Sequence, residues 1–354
     1  MNPKELVLEA LAHREPYRVP VDYWGTKEVD HILCQHFKVS KRDNMLKKLG
    51  VDLRYIFPDY KGPKLRKYAD GSYEDIWGVR RKNIMTKKGS YEHTVFSPLS
   101  SFRILDQLES WSPPSPEWYD YDSLKKKCEL YRDYAVVLVG DRTNRTSVLH
   151  AAMYLRGVQQ ALIDIVRNTE FAKRLFDKIT DFYFEVNKRC LEAANGGIDI
   201  LMMGDDMGTQ EGLLISPEIF RTFIKPHLSR HAQLARRYNA KVMLHCCGAI
   251  RTIIPDLVEI GIDILNPIQV RAKGMNPAEL KRDFGDKMSF HGSVDIQKTL
   301  PLGTVEDVRA EIRDRVQTLG KGGGFILCST HNIQADTPLA NILAMYDEAR
   351  KSKP

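Results

Sequence analysis

Short apolar runs rich in β-branched residues alternate along this chain with longer stretches whose apolar positions recur at helical spacing. Eight of the short runs read as strands: Arg18–Tyr23, Val51–Phe57, Ala135–Gly140, Ile198–Gly204, Lys241–His245, Ile262–Asn266, Lys287–His291 and Gly324–Cys328. From the third onward, helical patterns separate most of them. Thr304 opens one such helix as its cap. Glu306 and Asp307 favour its first turn, and Val305, Val308, Ile312, Val316 and Leu319 form one apolar stripe. Ser216-Pro217-Glu218 and Asp336-Thr337-Pro338 start two more helices, with proline suited to the first helical position.

Strand–helix alternation implies parallel strands with helices packed outside. Eight units in 354 residues fit a (β/α)8 TIM barrel in one domain, 1–354. An insert in its N-terminal half, about 61–130, is expected to hold short β structure, with a hairpin-like segment at Asp70-Gly71 and the turn-rich Ser112-Pro113-Pro114-Ser115-Pro116. A doubly wound open sheet is the alternative, disfavoured because no glycine-rich dinucleotide loop follows the first strand.

Composition narrows the class. Hydrophobic content of 43% with 28% charged residues excludes a disordered chain. The start carries no apolar signal-like core and no 18-residue apolar run occurs, so a cytoplasmic protein without membrane contact is expected. There the six cysteines serve as ligands, nucleophiles or core residues rather than disulfides. The net charge of +7 is concentrated in Lys61, Lys64, Arg66, Lys67, Arg80, Arg81, Lys82, Lys87, Lys88 and the run Lys125-Lys126-Lys127. That insert is either a solvated face or a docking face for an anionic partner. No zinc-finger spacing, basic zipper or aromatic RNA-binding stretch accompanies it, so no nucleic-acid partner is expected.

In a barrel, reactive groups collect at the C-terminal strand ends. Those ends read Asp22-Tyr23-Trp24, Asp59-Tyr60, Asp141-Arg142, Asp205-Asp206, His245-Cys246-Cys247, Asn266, His291 and Cys328 through His331. His245 and Cys247 can present an imidazole and a thiolate to one metal ion, and Cys328 or His331 can add a third ligand. Three protein ligands with an open fourth position make a catalytic zinc site, and soft sulfur with imidazole suits zinc over magnesium or calcium. Cys246 alternates in direction with its neighbours and is assigned to packing. A redox pair is disfavoured, because the spacing is not C-x-x-C. His227 and His231 are spaced i, i+4 on an outer helix with no glutamate between them, and are assigned to structure. Asp205 and Asp206 are candidate acid–base carboxylates, or one serves the site while the other secures a loop. Gln210 is near enough to join either role. Gly322-Gly323-Gly324 precedes a strand, so it is assigned to tight strand entry rather than to a phosphate cradle.

"GDDMGTQEGLLISPEIFRTFIKP" (204–226), "HCCG" (245–248), "FHGSVD" (290–295) and "GGGFILCSTHNIQADTP" (322–338) resemble the uroporphyrinogen decarboxylase superfamily, as does the opening "EALAHREPYRVPVDYWG" (9–25). The resemblance covers most of the chain and is sparsest in the insert. True uroporphyrinogen decarboxylases are metal-free and carry an arginine-rich loop after the first strand; here that place reads "PVDYWGTKEVDH", without an arginine. The resemblance therefore implies the superfamily's other branch, zinc-dependent methyltransferases that work with corrinoid proteins or coenzyme M. In that branch an H-x-C pair and a later cysteine hold the zinc. His245 and Cys247 match the pair. By its distance from Thr337-Pro338 the third position falls on His331, whereas this chain's cysteine is Cys328, so either is a candidate.

The implied reaction moves a methyl group between a small methylated donor, such as a methoxylated compound, and a thiol or a cobalamin carried by a separate partner. This chain has no D-x-H-x-x-G corrinoid motif of its own. Asp205 or Asp206 would assist proton transfer. Tyr23, Trp24 and Tyr60 would wall the substrate, with Arg142, Gln210, Asn266 and His291 as further binding residues. A metal-free lyase on the same barrel and a non-catalytic ligand-binding relative are the alternatives.

Overall fold

The computed structural model describes residues 1–86, 89–140 and 145–354. Twelve strands are present among them: β1 Leu53–Ile56, β2 Asp59–Tyr60, β3 Tyr73–Glu74, β4 Arg80–Thr86, β5 Gly89–Phe96, β6 Tyr119–Asp120, β7 Ala135–Leu138, β8 Ile200–Gly204, β9 Lys241–His245, β10 Ile264–Ile268, β11 Ser289–Val294 and β12 Phe325–Ser329. Seven of them form one parallel sheet in the order β1-β7-β8-β9-β10-β11-β12. Helices follow its strands, among them Leu149–Arg156, Thr169–Ala194, Lys225–Arg237 and Val305–Arg315. Strand order and chain order agree, which is how successive β-α-β units lay down a parallel sheet. Thr304 caps its helix as its sequence predicts, in a reciprocal pair with Asp307.

The segment expected as the first strand, Arg18–Tyr23, forms only one bridge, Val21 to Leu327. Its backbone nevertheless spans the gap between the two edges of the sheet. Leu327 N donates to Pro20 O and Asp22 N to Leu327 O on one side, and Asp52 N donates to Val21 O on the other. Two features stop a longer ladder. Pro20 has no N–H, and the Val21 N–H is taken by the Asp52 carboxylate at 2.8 Å instead of a carbonyl. The same carboxylate pairs with Arg18 at 2.8 Å.

Two apolar cores lie on either side of the curled sheet. Leu53, Ala135, Val137, Ile200, Met202, Met243, Ile264 and Ile326 project inward and meet Val7 and Leu11 of the helix Pro3–Leu11. That helix is started by Asn2 in a capping box with Glu5, and it seals the N-terminal end of the sheet's interior. The alternate residues, Val136, Leu138, Leu201, Met203, Val242, Leu244 and Leu265 among them, pack outward against the helices.

Much of the insert region folds as the antiparallel sheet β3-β4-β5. Arg81 and Asp75, both buried, form an ion pair at 2.8 Å within it, and Arg80 pairs with Asp70. These arginines are thus spent inside the insert and are not free charges of a docking face. Lys87 and Lys88 lie outside the described residues. Ile84, Met85, Tyr91, Val95 and Phe96 of the hairpin are exposed instead. No helix among the described residues is long and apolar enough to cross a membrane.

Candidate metal centre

The C-terminal ends of the sheet open into a cavity of about 1130 Å³. Its wall includes Tyr23, Trp24, Tyr55, Val139, Arg145, His150, Met202, Asp206, His245 and His331. The tip of the β4–β5 hairpin, Gly89 through Glu92, forms part of the rim. That tip is latched to the loop side of the sheet: the Glu28 carboxylate accepts from both the N–H and the hydroxyl of Ser90, each at 3.1 Å.

Within the cavity His245, Cys247 and His331 converge, each offering one ligand atom, all within 4.8 Å of one another. His245 Nε2 is 3.4 Å from Cys247 Sγ, and the His245 and His331 rings sit 6.0 Å apart. The donor set of two imidazoles and one thiol is chemically suited to zinc. Trp24 stacks on the His245 ring at 5.4 Å and donates its indole N–H to Tyr55 at 2.9 Å. Strand β9 ends at His245, where the chain turns. Cys247 turns its sulfur to His245 and His331, whereas Cys246 is fully buried and its sulfur accepts from Met207 N at 3.4 Å.

The two adjacent carboxylates have different surroundings. Asp205 points away from the cavity and is fully buried. It accepts the backbone N–H groups of Val148, Leu149 and His150 at 2.8, 2.9 and 2.6 Å, capping the helix Leu149–Arg156. Burial outweighs those bonds and pushes its carboxyl up to about 6. Asp206 faces the candidate ligand group: it accepts Cys247 N–H at 3.0 Å and lies 3.5 Å from His245 Nε2 and 3.7 Å from His150 Nδ1. Burial works to raise its carboxyl, but His245, His150, the Cys247 N–H and Arg145 together hold it below the ordinary carboxylate range. Burial pushes the Cys247 thiol up, and Asp206 adds to this. Burial also keeps His245 from protonating, with Arg145 next in effect.

Other residues singled out in the sequence fall elsewhere. Cys328 lies apart from the His245 group, fully buried one layer deeper beside Asp22 and His291. Asn266 and His291 are also buried there, hydrogen-bonded in line between His245 and Asp22, and do not line the cavity. Tyr60 is exposed and does not line the cavity, donating instead to Pro63 O and packing on Trp118. Gln210 is exposed in the turn after β8, where its carbonyl accepts from Lys273 N. Arg142 lies outside the described residues. Tyr23 lines the cavity but is tied by its hydroxyl to Asp30 at 2.8 Å.

Several wall elements have no counterpart among the sequence candidates, Tyr55, Arg145, His150 and the hairpin tip among them. Arg145 has a buried Nε without a hydrogen-bond partner among the described residues. It crosses the end of β8 at Gly204, where an added Cβ would lie 2.3 Å from that Nε. A glycine ending a strand beside a basic loop is the one signal that marked this crossing.

The uroporphyrinogen decarboxylase (URO-D) family model matches residues 105–352. A methylcobamide:CoM methyltransferase of Methanosarcina barkeri is 27% identical over 180 residues, 51% of this chain and 49% of that protein. A methylated-thiol–coenzyme M methyltransferase of Methanosarcina mazei is 30% identical over 210 residues, 59% and 52% of the two chains. The chain thus spans about half the length of the curated relatives it matches. A solved structure of a methyltransferase from Methanosarcina mazei superposes with a TM-score of 0.70 at 20% identity, covering 99% of each chain, and shares the fold.

Proposed function

The chain belongs to the uroporphyrinogen decarboxylase family, and from that premise we propose that it is a zinc-dependent methyltransferase. It would move a methyl group between a small methylated substrate, such as a methoxylated compound, and a thiol or a cobalamin carried by a separate corrinoid protein. The observation that carries this reading is the convergence of His245, Cys247 and His331 at the mouth of the sheet. The methyl-transfer activities named for the similar proteins agree with it. His331 takes the third ligand position in this reading, and Cys328 takes none. The fold itself we read as an eight-stranded TIM barrel in one domain, with Pro20–Asp22 as the eighth staple between β12 and β1 and the insert at about 61–130.

When bound, zinc would act as a Lewis acid that polarises an ether oxygen or makes a thiol more acidic. The protein supplies the rest. Asp206, 3.5 Å from His245 Nε2, is placed to hold a proton released at the ligand group or to return one. Trp24 packs over His245 and forms an apolar wall with Val139 and Met202. Arg145 presents a cationic group in the same cavity and orients polar or anionic parts of a substrate. The hairpin tip narrows the opening through which a partner must reach.

Metal analysis of the untagged protein tests the reading. About one zinc per chain is expected, lost in Cys247→Ala and in His331→Ala but retained in Cys328→Ala. A folded wild-type chain without stoichiometric metal would refute it and favour a metal-free lyase on the same fold. Methyl transfer to free cob(I)alamin, with methoxylated donors supplied in turn, then tests the activity itself.

A further inference from the structure

Beneath the candidate metal centre the polar side chains form one continuous line. Trp24 Nε1 donates to the Tyr55 hydroxyl at 2.9 Å, and Tyr55 donates to Asp22 Oδ2 at 2.5 Å. His291 Nε2 meets the same carboxylate oxygen at 2.9 Å. His291 Nδ1 lies 2.5 Å from Asn266 Nδ2, and Asn266 Oδ1 lies 2.5 Å from His245 Nδ1. Asp22, Asn266, His291 and His245 are all nearly or fully buried, and each link between them is a direct contact.

The direction of these bonds follows from their chemistry. A carboxylate only accepts, so His291 carries its proton on Nε2. In the neutral imidazole its Nδ1 then accepts, which matches the Asn266 amide nitrogen turned toward it. The Asn266 oxygen is left facing His245, whose Nδ1 must donate. His245 therefore carries its proton on the side away from the cavity. We propose that Asp22, acting through His291 and Asn266, is a positioning group that locks His245 in the Nδ1–H tautomer and leaves the Nε2 lone pair facing Cys247 and His331.

The purpose of the lock rests on the metal reading above: a ligating imidazole must offer a bare nitrogen, and its other nitrogen is held by an outer partner. The geometry stands without a metal. Asp22, His291 and Cys328 also bring ligand atoms within 4.8 Å of one another. A cation there would have to displace the two donors already on Asp22 Oδ2 and take His291 Nε2 out of the line, in a place that does not open to the cavity. The structure therefore favours the hydrogen-bonded line over a second metal site, even though Asp22 Oδ1 has no partner among the described residues.

The test uses the full chain labelled with ¹⁵N-histidine, with and without zinc. Metal-free wild type should show His245 protonated at Nδ1. Asp22→Asn no longer imposes acceptance, because its amide can turn either oxygen or nitrogen to His291, and so the line loses its fixed direction. It should spread the His245 proton over Nδ1 and Nε2 and lower zinc affinity, measured against a chelating dye, although Asp22 touches no ligand. Asn266→Leu, of similar volume, should release the tautomer and cost 10- to 100-fold in zinc affinity, the range typical of lost outer partners. Asn266→Asp still accepts from Nδ1–H and should keep affinity within about threefold of wild type, whereas a space-filling role would make Leu and Asp alike.

A wild-type proton on His245 Nε2 overturns the proposal. So does unchanged zinc affinity in both Asp22→Asn and Asn266→Leu, or a second metal per chain that is lost in Cys328→Ala. Should Asn266→Leu not fold, Asp22→Asn carries the comparison. A wild-type chain that takes up no zinc would defeat the proposed function, while the nitrogen spectra of the metal-free protein would still decide the tautomer.

Discussion

Replacing two neighbouring carboxylates should give opposite outcomes. Asp205 accepts three backbone N–H bonds at 2.6 to 2.9 Å in a place with no solvent exposure. Asp205→Ala leaves those donors without partners and without water. A hydrogen bond to a charged group is worth roughly 1.5–3 kcal/mol net, and each buried donor left unsatisfied costs about 1–3 kcal/mol. Three donors share one carboxylate, so the terms overlap rather than add. Burial of the charge itself, which raises this carboxyl to about 6, offsets part of the gain. The net loss should be about 4 kcal/mol, on the order of the large values reserved for broken buried networks.

Asp206 accepts one backbone N–H, from Cys247, and its side chain is about a third exposed. Asp206→Asn can still accept that bond, so unfolding free energy should move by less than about 1 kcal/mol. Zinc uptake and methyl transfer should suffer instead, because the negative charge beside His245 and Cys247 is gone. The assay is equilibrium urea unfolding at neutral pH for both variants, followed by zinc titration. A mild Asp205→Ala with an unstable Asp206→Asn would refute the assignment of structure to one residue and chemistry to the other.

Asp75→Ala should cost roughly 3–5 kcal/mol in thermal or urea unfolding, because it leaves the buried Arg81 guanidinium unpaired; a loss under 1 kcal/mol would show that Arg81 finds another partner. Gly204→Ala should push Arg145 off the end of β8, since the new Cβ would meet its Nε at 2.3 Å, and mass spectrometry should then find Arg145 modified faster by phenylglyoxal than in wild type. His231 is fully buried with its Nε2 unpartnered among the described residues, and burial depresses it to about 3 from 6.5. Its stabilising contribution is complete above pH 6.5 and is lost as pH falls toward the folded value, because the unfolded chain takes up the proton first. His231→Phe should therefore flatten acid destabilisation below pH 6.5 by up to roughly 1.4 kcal/mol per pH unit, measured by urea unfolding at stepped pH; an unchanged slope would remove His231 from the account.

The sequence made the sheet legible because its strands are short and apolar on both faces and end in reactive residues. Lys241–His245 has the same limits in both readings, and alternation along it separates Cys246 from its two neighbours. Where strands depart from expectation, backbone donors explain it. Pro20 and the Asp52 carboxylate leave Arg18–Tyr23 with a single bridge. The strand expected over Ile262–Asn266 instead runs Ile264–Ile268, its ladder to β11 shifted around Pro267, which cannot donate.

The site was legible as residue types but not as depth. Distance from Thr337-Pro338 points to His331 and residue type to Cys328, and spacing alone carries no sign that Cys328 is buried one layer down while His331 reaches the cavity three residues later. Asn266 and His291 looked like substrate contacts because they end strands, yet their side chains serve each other. Tyr55 and the hairpin tip escaped notice because their roles depend on curvature and on the fold of the insert.

The helix Pro3–Leu11 stoppers the far end of the sheet's interior with Val7 and Leu11. The cavity at the opposite end is thus a cul-de-sac, and two molecules could not enter it from opposite doors. A bulky carrier pressed against the mouth would also bar the exit of whatever lies beneath it. Under the proposed function, turnover then requires strict traffic order: small substrate in, carrier on, carrier off, product out. Initial-rate patterns should show that sequence, with excess carrier trapping the occupied chamber and slowing the enzyme.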